Sequence, residues 1–161
     1  MLIIRGNDPN GFGGRLFALL AIGGFQGVIG WWMVTSRLPA NATVSQYRLA
    51  VHLGMALIIL VLLLWTAFDI RYGRAALPRV HAGGTLALVF VTILAGALVA
   101  GMDAGLLYNE YPLMGEGLVP IEYGDEGLLD AFENPAAAQF HHRWIAALAV
   151  LAVITLTLRG R

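Results

Sequence analysis

Gln139-Phe140-His141-His142-Arg143, followed without a break by the apolar run Trp144 to Leu158, is the stretch on which the fold is decided. Read as one helix it has roughly 20 residues and a length of about 30 Å, enough to cross the hydrocarbon core of a bilayer. A long acidic loop precedes it, so His142 falls about one turn inside the membrane surface, with Arg143 beside it. An imidazole there can ligate a metal at the edge of a low-dielectric interior, and an arginine there suits an anionic group at the interface.

Three further apolar segments lie upstream, at about 16–36, 49–68 and 80–101, and the run above makes a fourth at 139–158. Each approaches spanning length. The chain of 161 residues is 58% hydrophobic and 12% charged, with a mean hydropathy of +0.73. A soluble domain carries about 25% charged residues. The expected fold is therefore an all-α membrane protein with four transmembrane helices. Residues 1–161 form one transmembrane helical domain, with an atypical N-terminal stretch at 1–13 and a long loop at 102–138. There is no Cys, which excludes disulfides, thiolate metal sites and cysteine nucleophiles. No basic cluster or arm points to nucleic acid, and no secretory signal is visible at the start.

Charge placement orients the segments. Arg5, Arg15, Arg71, Arg74, Arg79, Arg159 and Arg161 fall on one side if all four segments span, and only Arg37, Arg48 and Arg143 fall on the other. The positive-inside rule puts both termini and the 69–79 connection in the cytoplasm. Eight of the ten acids (Asp103, Glu110, Glu116, Glu122, Asp125, Glu126, Asp130 and Glu133) then lie in the outer loop.

Within the first segment, Gly23, Gly27 and Gly30 make a smooth face, suited to close helix packing or to close approach of a flat ligand. Gln26 in mid-membrane requires a partner inside the bundle. Trp31 and Trp32 fit an interfacial aromatic belt. The second segment opens Ser45-Gln46-Tyr47-Arg48-Leu49-Ala50-Val51-His52. It repeats the layout of 139–143: a Gln-aromatic pair, an Arg, and a His near the outer end of a spanning helix. Ser45 is placed to cap it. A lone buried His is ordinarily a hydrogen-bonded structural residue. Two such helices instead suit a haem, whose iron accepts imidazole and whose propionates pair with Arg48 or Arg143. His81, at the opposite end, reads as an interfacial residue. Gly83, Gly84, Gly96 and Gly101 give the third segment a second close-packing face.

The loop at 102–138 is long for a passive connector. Residues 125–134 could form a short amphipathic helix, with Leu128, Leu129 and Phe132 touching the membrane or the bundle. Asp103 and Glu110 are candidate catalytic carboxylates; the plainer reading is a hydrated acidic loop.

Five motifs occur in order: Gly-Gly-Phe-Gln-Gly-Val-Ile-Gly-Trp-Trp-Met-Val (23–34), Ser-Gln-Tyr-Arg-Leu-Ala-Val-His-Leu (45–53), Val-Ala-Gly-Met-Asp-Ala-Gly (99–105), Tyr-Asn-Glu-Tyr-Pro-Leu-Met (108–114) and Gln-Phe-His-His-Arg (139–143). Together, over about 14–158, the chain closely resembles the haem A synthase family. That family is an eight-helix inner-membrane oxidoreductase of two similar four-helix halves, which oxidises a methyl group of haem O to the formyl group of haem A for terminal oxidases. The resemblance implies that His142 is an axial ligand of a haem b iron and that His52 is one of two histidines meeting the substrate haem O. Arg48 and Arg143 are then expected to face propionates.

It further implies a multi-pass protein of a bacterial inner membrane, acting beside haem O synthase and terminal oxidase assembly factors. The matched region corresponds to the family's middle four helices. The preceding helix, with its own His-Arg motif and a catalytic Glu, and the last helix pair, with the second haem b ligand, have no counterpart here. Arg37 stands where the family usually has Gly, and His141 where it often has Asn. The chain is accordingly expected to be a truncated product, or a part completed by other chains or by homo-oligomerisation. The alternatives are a non-catalytic b-type haem-binding or electron-transfer membrane protein and an inactive remnant.

Overall fold

The computed structural model describes residues 11–35, 44–73, 80–125 and 127–159. Arg5, Arg37, Arg74, Arg79, Glu126, Arg161 and most of the 1–13 stretch lie outside them, as does the side chain of Leu128. Four long helices dominate: α1 (Gly13–Val34), α2 (Gln46–Tyr72), α3 (Val80–Gly101) and α5 (Pro135–Arg159). A short α4 (Asp130–Glu133) precedes the last, and no strand occurs among the described residues. All four long helices are long and apolar enough to cross a membrane, as a multi-pass membrane protein requires.

The long helices stand in a row. α1 packs on α2, α2 on α3 and α3 on α5, while no comparable contact joins α1 to α5. Large apolar side chains such as Phe17, Leu64, Leu86 and Leu151 are exposed along all four. Water would penalise such faces, whereas hydrocarbon solvates them. Hydroxyls within the helices bond back one turn, Thr66 to the Leu62 carbonyl (2.6 Å), Thr85 to His81 (2.9 Å) and Thr92 to Leu88 (2.8 Å).

Polar ties hold the α1–α2 pair at both ends. Arg15 donates to Asp69 at 2.5 Å, and the Asp69 side chain is only 5% exposed, so the pair is a part-buried ion pair. At the loop end, Arg48 donates to the Trp32 carbonyl (2.9 Å) and lies 4.5 Å from the Trp32 ring centroid. Between these ties, a Cβ built at Gly23, Gly24 or Gly27 meets nothing within 4 Å. Only Gly30 of the smooth face is in close contact, so that face is not a packing seam among the described residues. On α3 the outcome is mixed: Gly96 and Gly101 are tightly approached, and Gly83 and Gly84 are open.

Helix starts differ from the sequence reading for identifiable reasons. Ser45 occupies the N-cap of α2, yet its hydroxyl makes no capping bond. Tertiary contacts hold that end instead. A Cβ at Gly101 would lie 2.5 Å from the Gln46 Cα, and Glu133 accepts from Tyr47 and, at 3.4 Å, from Gln46.

α5 begins one turn before residue 139 because Asn134 caps it. The Asn134 Oδ1 accepts from the Ala136 and Ala137 amides (2.9 and 3.2 Å), with Pro135 at the first helical position. The same amide group donates to Asp130 (2.9 Å) and to the Glu122 carbonyl. The helix expected at 125–134 is reduced to a 3-10 turn, Gly127–Leu129, and α4. Gly124 and Gly127, at φ +100° and +59°, cannot belong to a continuous right-handed helix. Phe132 touches the bundle as expected, at the end of a groove between α2 and α3, whereas Leu129 is exposed.

Asn134→Ala should destabilise the protein by about 1–2 kcal/mol, the usual loss for an N-cap. A lower melting temperature in detergent and faster cleavage of the 102–133 region by a glutamate-specific protease would register it.

Candidate functional site

His52 and His142 sit near the loop end of α2 and α5, and their rings are seated alike. A Cβ built at Gly30 of α1 would lie 3.1 Å from the His52 Cε1, and one at Gly96 of α3 would lie 3.0 Å from the His142 Cε1. Each imidazole therefore occupies the space that a side chain on the preceding helix of the row would fill. In both cases Nδ1 engages the residue four positions before that glycine. Nδ1 of His142 lies 3.1 Å from the Thr92 carbonyl, and Nδ1 of His52 lies 3.2 Å from the Gln26 side-chain nitrogen. Gln26 also donates to the His52 carbonyl at 2.9 Å, so its expected partner inside the bundle is His52. Neither ring's Nε2 makes a hydrogen bond among the described residues.

The arrangement at His142 suits an imidazole that binds iron. A ligating His ordinarily holds a partner through one ring nitrogen, which fixes the tautomer and leaves the other nitrogen's lone pair free. The Thr92 carbonyl can only accept, so Nδ1 of His142 is the N–H and Nε2 carries the lone pair. No group of three or more His, Cys, Asp or Glu suited to a bare metal ion occurs among the described residues. A haem differs, because its porphyrin supplies the equatorial ligands and the protein supplies axial ones.

The arginines are engaged with backbone. Arg143 donates to the carbonyls of Glu110 (2.7 Å), Leu113 (3.2 Å) and Tyr108, while Gln139, one turn earlier, also donates to Tyr108 (2.9 Å). Together they clamp the 108–113 segment to the head of α5. Arg48 plays the corresponding part for α1 through Trp32. Asp103 and Glu110 are exposed, and neither carboxylate bonds to His52 or His142. His141 is turned to the loop, its Nε2 3.0 Å from the Tyr123 hydroxyl. His81 lies at the far end of α3, 3.5 Å from Thr155.

Several contributors escaped the sequence reading: Thr92, the loop anchors Glu122 and Glu133, and the specific role of Gly96. One signal was available for Gly96. Gln26–Gly30 and Thr92–Gly96 share a spacing of four, one helical turn, on the helix packed against each His. A groove of about 730 Å³ runs between α2 and α3 past Gly54, Met55, Phe90 and Leu94. Neither His lines it.

Tyr108 donates to Glu122 at 2.6 Å, closing the loop on itself. That bond holds the Glu122 carboxyl below the usual carboxylate range, and it raises the Tyr108 phenol, helped by burial and by the charges of Glu122 and Glu110. Because the folded value of Glu122 is the lower one, its contribution to loop stability is complete above the ordinary carboxylate pKa of about 4.3. It disappears as pH falls through the lowered value. A carboxyl NMR titration should place Glu122 below the ordinary range in the native chain and return it there in Tyr108→Phe.

Comparisons with known proteins identify the family. The family model described as "Cytochrome oxidase assembly protein" (COX15-CtaA) matches residues 1–161. The chain is 48% identical over 156 residues to "Heme A synthase" of Maricaulis maris, covering 93% of this chain and 46% of that protein. It is 42% identical over 170 residues to "Heme A synthase" of Caulobacter vibrioides, covering 100% of this chain and 49% of that protein. It is 41% identical over 173 residues to "Heme A synthase COX15" of Homo sapiens, covering 98% and 42% respectively. The chain spans about half the length of these relatives. No solved structure matches it. On the family match and these identities, the chain belongs to the COX15-CtaA family of cytochrome oxidase assembly proteins.

Proposed function

We propose that this chain is the haem-holding part of a haem A synthase-type oxidoreductase, which oxidises a methyl group of haem O to the formyl group of haem A for terminal oxidase assembly. His142 would hold haem b through its iron, and His52 would meet the iron of the substrate haem O. The observation that carries this reading is the paired seating of two imidazoles, each over a glycine and each with Nδ1 engaged one turn away. The relatives named for haem A synthesis support the substrate class.

In this reading the residues position and tune. The Thr92 carbonyl orients the His142 ring and keeps its Nε2 lone pair available. Gly30 and Gly96 allow each ring to lie flush against its neighbouring helix. Arg143 and Gln139 hold the 108–113 segment across the head of α5, and Arg48 fixes the end of α1. These two guanidinium groups, at the loop ends of α2 and α5, would face the propionates, as the family resemblance expects. The bound haem supplies the electron transfer that the oxidation requires.

Each ring would supply one ligand to an iron. The second imidazole for each iron comes from family sequence beyond these four helices, or from another copy of the chain. The protein sits in a bacterial inner membrane with the 102–138 loop outward and both termini cytoplasmic, as the arginine distribution directs. It receives haem O from the synthase that makes it and passes its product to oxidase assembly.

The test is a reduced-minus-oxidised spectrum of the full chain purified with added haem b. A b-type α band is expected in the native chain and in Gly83→Ala, whose added methyl meets nothing within 4 Å. Loss of the band is expected in His142→Ala and in Gly96→Val, which fills the seat of the ring. A band unchanged in His142→Ala would sink the assignment. A bound b-type spectrum with no conversion of supplied haem O to haem A would instead favour a non-catalytic haem-binding role.

A further inference from the structure

We infer that Gln26 is a positioning residue that decides which nitrogen of His52 carries the ring proton, and so whether His52 presents a lone pair to an iron. The inference rests on the reading of His52 and His142 as iron ligands. It begins from a difference between two rings that are otherwise seated alike.

The partner of His142 Nδ1 is a backbone carbonyl, held in the α3 helix and able only to accept. Its tautomer is fixed, with the proton on Nδ1 and the lone pair on Nε2. The partner of His52 Nδ1 is the side-chain amide of Gln26, which carries a donor and an acceptor on one rotatable group. As the side chain lies, its nitrogen is 3.2 Å from Nδ1 and donates at 2.9 Å to the His52 carbonyl. Its Oε1 is buried with no hydrogen-bond partner. In this orientation Nδ1 accepts, the ring proton is on Nε2, and His52 is closed to a metal.

Rotating the amide half a turn brings Oε1 opposite Nδ1. Nδ1 then donates, the ring proton leaves Nε2, and the lone pair there is exposed. The orphaned Oε1 gains a partner, and the His52 carbonyl loses only a bond additional to the one it accepts within α2. The amide exchanges two donated bonds for one accepted bond, and its nitrogen moves to the buried place where Oε1 had no partner, so the Nε2–H state is the resting one. A resident cofactor must stay, and its ligand has a fixed acceptor. A substrate haem must arrive and leave, and its ligand has a partner that can serve either state.

Ring-nitrogen NMR of the haem-free chain, labelled with ¹⁵N-histidine, reads the tautomers directly and needs no variant of Gln26. The expected result is Nε2–H for His52 and Nδ1–H for His142. Both rings as Nδ1–H would overturn the inference. Gln26→Glu supplies an acceptor in place of the amide and should move His52 to Nδ1–H. With His142→Ala in the background, so that only the His52 site reads out, Gln26→Glu should tighten haem binding by about tenfold or more. It should also lower the reduction potential of the bound iron, and Gln26→Leu should do neither.

Wild-type affinity and tautomer in Gln26→Glu, with binding still abolished by His52→Ala, would overturn the role of Gln26 and leave His52 as a ligand. Haem binding indifferent to His52→Ala would overturn the ligand reading instead, while the tautomer measurement would still judge Gln26.

Discussion

The site depends on two places where a helix carries no Cβ. At Gly30 and Gly96 an imidazole from the next helix approaches to within 3.1 and 3.0 Å of where that carbon would be. An alanine at either position would force a ring or a helix to move, because the ring belongs to a neighbouring backbone and cannot swing away freely. This accounts for a glycine at these two helix positions despite its cost of about 1 kcal/mol relative to alanine. It also ties together sequence features that look separate: a glycine, a polar group one turn earlier, and a histidine on another helix.

The rest of the described structure keeps those rings at fixed heights. In hydrocarbon, apolar contact between helices is worth little beyond packing, since lipid solvates the same surfaces. Directional ties must therefore set the register. Arg15–Asp69 and Arg48–Trp32 lock α1 to α2 at both ends, which fixes Gly30 opposite His52. Gln139 and Arg143 bind loop carbonyls, Asn134 caps α5, and Asp130 accepts from the Gly124 amide at 2.9 Å and from Asn134. Through these bonds the long loop sets where α5 begins. Glu133 carries the same connection across to the start of α2.

Much of this was legible in the sequence, and the parts that were not have physical reasons. The third helix runs over the expected 80–101, because a long apolar run leaves little choice in a membrane. The second extends a turn beyond 49–68 at each end, where its polar residues find tertiary partners. Gln26 was expected to need a partner, since an amide in hydrocarbon must, but which partner depended on the facing helix. The role of Thr92 was invisible because its backbone, not its side chain, meets His142. Any residue type could stand there. The open Gly23 and Gly27 show the converse limit: small residues license close approach but do not name what approaches.

The order of the helices bears on whether His52 and His142 could serve one iron between them. α3 stands between α2 and α5 in the row. His52 is seated toward α1, at Gly30, and His142 toward α3, at Gly96. Each ring is thus turned to its own preceding neighbour, so the two imidazoles occupy separate seats. His141 does not supply the missing half, because it shares a helix with His142 and its Nε2 is engaged by Tyr123. A six-coordinate iron at either seat needs an imidazole from outside this row. On the proposed reading, the same repeat makes each of His52 and His142 half of a pair.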